Sequence, residues 1–113
     1  MPALAKSLDR KLRGLYPDAS KRRLALNELL RYGASSDEPE PERVRLAILK
    51  LAGSNLEELR KTVDGAKEDP EDTVSWAERP REARSRIGNQ KLHENQRRKI
   101  QQEDQNEWDS WLA

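Results

Sequence analysis

Apolar residues along this chain recur at helical spacing, most clearly between Pro41 and Glu68. Val44, Ala47, Ile48 and Leu51 fall at i, i+3, i+4 and i+7, which is one face of a 3.6-residue period. Leu46, Leu49 and Ala52 widen that stripe, as expected of a helix covered on several sides. Gly53 supplies the stop, and Ser54 with Glu57 reads as an S-x-x-E capping box for a following helix whose inward face is Leu56, Leu59, Val63 and Ala66. Upstream, Leu4, Leu8 and Leu12 place a first helix from Pro2 to about Arg13, ended by Gly14 and Pro17. Asp18 then caps a second helix that turns Leu26, Leu29 and Leu30 inward and stops at Gly33.

The polar loop 34–40 has Pro39 and Pro41 bracketing Glu40, and Pro41 suits the first helical position of helix three. Asp69-Pro70-Glu71-Asp72 repeats that start signal for a short fifth helix with Val74, Trp76 and Ala77 as its apolar content, which must yield near Pro80. No alternating run of β-branched residues competes. The fold class is therefore all-α: a compact bundle of four or five short helices over residues 1–78, followed by a charged helical tail. Residues 79–90 read as a basic linker broken by Gly88, and Asn89 can cap a final helix within 91–113, running from Lys91 to about Leu112. Its apolar residues (Leu92, Ile100, Trp108, Trp111 and Leu112) are too sparse for a continuous stripe. As a test of the core, Ile48→Asp should unfold the domain, because it buries an unpaired charge.

Composition locates the core. The 113 residues contain 15 Leu, 3 Ile and 3 Val, and the first 78 hold 13 of those Leu. Charge is segmented under a net of +1: residues 1–33 carry net +5, 34–78 net −6, 79–101 net +6 and 102–113 net −4. Segments of opposite sign either satisfy each other within the fold or address a partner. The chain has no Cys, which removes disulfides, thiolate nucleophiles and Cys-based metal sites. It has no apolar leader and no window near the ~18 apolar residues of a membrane span, so a cytoplasmic protein without membrane association is expected.

Candidate chemistry is sparse. His93 is the single histidine and sits among polar residues, the acidic clusters at 37–42 and 69–72 lack EF-hand spacing, and no Gly-rich phosphate loop or nucleophile elbow occurs. Catalysis, a cofactor, a metal and a small-molecule ligand are not expected. The favoured reading is a small protein–protein interaction or regulatory module, or a homo-oligomer, with Trp108, Trp111 and Leu112 on one side of a helical turn. That Trp-bearing end either lays its aromatics into a partner's groove or packs back on its own bundle. The alternative is phosphate-contacting, non-specific nucleic-acid binding through Lys21, Arg22, Arg23, Arg79, Arg81, Arg84, Arg86, Arg97, Arg98 and Lys99, with Arg10, Lys11 and Arg13 extending the basic surface. The Gly53-Ser54-Asn55 turn does not make a helix-turn-helix, since Arg60 stands where a small buried residue belongs and the next helix opens with Asp69, Glu71 and Asp72.

The stretch 44–80, with its AILKLA helix (Ala47–Ala52), Gly53 turn and Trp76-Ala77-Glu78-Arg79-Pro80, resembles a group of small uncharacterised bacterial all-helical proteins. Pro70 departs from the aromatic expected after the acidic cap. The resemblance implies a bacterial or phage origin and a helical fold, and it carries no activity and no site residue.

Overall fold

A computed structural model describes residues 5–87 and 93–113. These form seven helices and no strand: α1 (Lys6–Leu15), α2 (Ala19–Arg31), α3 (Pro41–Ala52), α4 (Leu56–Glu68), α5 (Pro70–Glu78), α6 (Pro80–Ile87) and α7 (Glu94–Leu112). The expected Pro2 start, Leu4, Gly88, the Asn89 cap, Lys91 and Leu92 lie outside the described residues.

Helix α3 is the centre of the bundle, packing against α5, α4 and α1. Three neighbours explain why Val44, Ala47, Ile48 and Leu49 are all buried. The single-stripe reading chose Leu51 instead, but Leu51 is 44% exposed. Leu49 is fully buried in its place, as a helix covered on several sides allows. Helix α2 contributes Ala25 and Leu29 to the core, with Leu26 half-buried against it, and α4 contributes Leu59, Val63 and Ala66. Ion pairs Glu28–Arg60 and Arg31–Asp64 step forward together along both helices, so α2 and α4 run parallel.

The punctuation is mostly local. Asp18 accepts from the Lys21 N–H at 3.0 Å and Asp69 from the Asp72 N–H at 3.0 Å, each capping the helix it precedes. Pro41 and Pro70 stand at first helical positions. The cap of α4 is Asn55, whose Oδ1 accepts from the Glu58 N–H at 3.0 Å, and not the Ser54–Glu57 box. Starting the helix one residue later places Leu56 against the core. Gly33 at φ +91 and Gly53 at φ +61 occupy backbone that an L side chain rarely adopts. Gly14 does not end α1, which continues to Leu15.

The 34–40 loop is tied down from three sides. Tyr32, fully buried, donates through its hydroxyl to the Pro39 carbonyl at 2.7 Å, and Arg45 donates twice to the Tyr32 carbonyl at 3.0 and 2.7 Å. Glu38 accepts from the Gly33 and Ser35 amides and from Lys67 Nζ. The Lys67 bond, with those amides, holds the Glu38 carboxyl below its usual range.

The largest departure lies in the segment read as a basic linker. Pro80–Ile87 form α6, and the described residues hold seven helices where four or five and a tail were expected. Pro80 opens this helix, Glu82 lies in its first turn, and Arg84 and Arg86 lie in its last, the orientation the helix dipole favours. Its remaining support comes from packing on α5 and, at long range, from α7.

Candidate functional site

Helix α7 divides into two halves with different fates. From Ile100 onward it turns residues inward: Ile100 is half-buried, Asp104 is 1% exposed, and Trp108 and Trp111 pack against the bundle's core. From Glu94 to Lys99 every residue is exposed.

The inner half is held by charge as much as by packing. Asp104 accepts from the backbone N–H of Arg81 and of Glu82, both at 3.2 Å, and from Arg81 Nη1 at 3.1 Å. It therefore caps the N-terminus of α6 from more than twenty residues away. Arg81 also pairs with Glu103 at 3.3 Å and Glu107 at 3.4 Å, and Asp104 and these neighbours raise its pKa further. Lys50 of α3 donates to the Ala77 carbonyl at the end of α5 (2.6 Å) and to Glu107. The Lys50 bond, aided by its charge and by Arg81, lowers the Glu107 pKa. Beside it Arg43 makes a two-pronged contact with Glu78, at 2.9 and 2.8 Å.

The two tryptophans stack on each other, with ring centroids 5.4 Å apart and planes at 26°. Lys11 of α1 lies 4.7 Å from the Trp111 ring centre and Lys50 lies 5.9 Å from that of Trp108. Arg10 donates to the carbonyl of Leu112, which is itself half-buried. The structure thus gathers Trp108, Trp111 and Leu112 at one place and packs them on their own chain, each keeping part of its surface exposed.

Helices α6 and α7 run antiparallel, since Arg81 meets Asp104 while Arg84 and Ser85 face Ile100 across a groove of about 260 Å³. This register sets the outer half of α6 beside the first turns of α7. Arg84, Arg97, Arg98 and Lys99 are exposed there. Among the described residues, only Arg98 of these has a carboxylate within ion-pair distance: Glu94 at 2.9 Å, an exposed pair that adds little. Arg86, also exposed, lines a groove whose rim holds Glu40 and Glu71. Arg79 donates to the Ser75 hydroxyl at 3.3 Å.

The α2 basic run is a different matter. Arg22 is half-buried and donates to the carbonyls of Tyr16 and Pro17, both at 3.2 Å, closing the α1–α2 turn. That role explains a cation in a first helical turn, where the dipole disfavours it. Lys21 and Arg23 beside it are exposed. The sequence-predicted basic residues therefore separate into two structural ones, Arg22 and Arg81, an α2 pair, Lys21 and Arg23, the hairpin set of Arg84, Arg97, Arg98 and Lys99, and Arg79 and Arg86 toward α5.

Asp104, Lys50 and Glu107 were missed as organising residues. Their one advance signal was the alternation of charge blocks, which left open whether the acidic terminus faced inward or outward. Among the described residues no helix is long and apolar enough to cross a membrane, and no three His, Asp or Glu side chains are grouped to hold a metal ion. No protein-family model, curated protein or solved structure matches the chain.

Proposed function

We propose that this protein is a small non-catalytic module that binds nucleic acid through phosphate contacts made by the α6–α7 hairpin. One observation carries the reading. The acidic C-terminal block is used within the molecule, on Arg81, Lys50 and the α6 amides, while Arg84, Arg97, Arg98 and Lys99 face solvent on the two helices. A protein interface requires an apolar core inside its polar rim. Residues 93–99, the exposed start of α7, are all polar, and a row of cations suits a polyanion.

The protein-partner reading keeps one specific support. Trp108, Trp111 and Leu112 retain partial exposure, and Leu24 and Leu51 are 54% and 44% exposed on the bundle. Fluorescence anisotropy with labelled mixed-sequence DNA and RNA, at low and physiological salt, separates the two. Salt-sensitive binding that is lost when the four hairpin cations become Gln supports the nucleic-acid reading. No binding at low salt retires it and returns attention to the Trp-bearing end.

A further inference from the structure

We infer that the hairpin's ligand is a duplex, gripped by its phosphate backbone without regard to sequence, rather than a single strand; this rests on the nucleic-acid reading above. Single strands are held by proteins that combine a basic groove with aromatic platforms on which bases stack. This chain has five aromatic residues, and each is committed elsewhere. Tyr16 and Tyr32 are buried in the bundle, Trp76 is half-buried on α5, and Trp108 and Trp111 stack on each other against the core. None belongs to residues 79–101, where the basic charge is concentrated. A base unstacked from a single strand would find no ring within that basic segment.

What the hairpin does offer is a fixed array. Arg97, Arg98 and Lys99 are successive residues of one continuous helix, so they project in three directions around its axis. Arg84 adds a fourth cation from the antiparallel partner helix. A helix is about 10–12 Å across with its side chains, close to the roughly 12 Å width of the B-form major groove. Lying there, a helix with cations on several sides has a phosphate row on each flank. A duplex also presents about twice the axial charge density of either strand alone. The exposed amides of Asn95, Gln96 and Gln101 add neutral donors for phosphate and sugar oxygens.

The test is competition anisotropy on the full chain. A labelled mixed-sequence DNA duplex is displaced by unlabelled DNA duplex, RNA duplex, or the separated DNA strand, at equal nucleotide concentration and low salt. Duplex competitors should displace the label at roughly a tenth of the single-strand concentration, since the phosphate term scales with charge density. Preference between the DNA and RNA duplex identifies which groove geometry fits. Equal or better competition by the single strand overturns the duplex inference while leaving phosphate binding intact. No binding of the labelled duplex overturns the phosphate reading itself. Arg84→Gln/Arg97→Gln/Arg98→Gln/Lys99→Gln, all at exposed positions, should abolish binding with an unchanged circular dichroism melt. Lys21→Gln/Arg23→Gln on α2 should leave affinity within about twofold, as removing remote cations barely alters a local contact; loss there instead overturns the assignment to the hairpin.

Discussion

Replacing Asp104 with alanine removes the α7 side chain that caps the start of α6. The carboxylate is 1% exposed and serves three donors, two of them backbone amides of a helix's first turn. Losing a helix cap costs about 1 kcal/mol, and leaving buried donors unsatisfied costs a further ~1–3 kcal/mol. The two overlap, because an uncapped amide is the unsatisfied donor, so roughly 2–3 kcal/mol is expected in total. For a chain of this size that corresponds to a fall in melting temperature of about 8–15 °C. Asp104→Asn keeps an acceptor oxygen in place and should lose about half as much. Circular dichroism melts of the three proteins give the magnitude, and amide exchange gives the location. The Arg81 and Glu82 amides should exchange faster in the alanine variant while α3 amides are least affected. An alanine variant melting within about 2 °C of the parent, with α6 still protected, would refute the capping role.

The other predictions concern the core, the turns and pH. Ile48→Asp places a carboxylate at a fully buried position of α3 and should abolish the cooperative melt; a native-like transition would show that α3 is not the centre of the fold. Two glycines should respond with opposite signs. Gly65→Ala adds a methyl group into open space on α4 and should stabilise by about 0.5–1 kcal/mol, whereas Gly33→Ala strains backbone at φ +91 and drives Cβ to 2.6 Å from Arg45 Nη2, so it should lower the urea midpoint. Because the Lys50 bond lowers the Glu107 pKa, that carboxylate stabilises the fold above the ordinary glutamate range. The contribution is lost as pH falls through the lowered value. Acid titration should therefore red-shift tryptophan emission as Trp108 loses cover, and Glu107→Gln should flatten that step.

Features fixed by a few neighbouring residues were readable in advance. Asp18, Pro41, Gly53 and the Asp69-Pro70 pair mark helix boundaries because caps, fixed φ and positive φ are local chemistry. Val44, Ala47 and Ile48 followed from periodicity, while the exchange of Leu51 for Leu49 did not, since it depends on which helices flank α3. Helix α6 was invisible for a stronger reason. Of the described side chains of α6 only Ala83 is buried, and the acceptor for its first amides is Asp104 on another helix. The same non-locality hid Lys50, which reads as an ordinary helix cation until α5 and α7 arrive beside it. For the candidate surface, the sequence named the basic residues but could not divide them. Arg22 and Arg81 turn inward to carbonyls and carboxylates, and Arg84, Arg97 and Lys99 do not.

The most direct test of the account is the slope of log affinity against log salt for a mixed-sequence duplex. If Arg84, Arg97, Arg98 and Lys99 each neutralise a phosphate, at about 0.9 per contact, the slope should lie near −3.5. The quadruple Gln variant should bring it close to zero. A shallow slope in the parent protein, or one the variant leaves unchanged, would contradict the assignment of the hairpin as the binding surface.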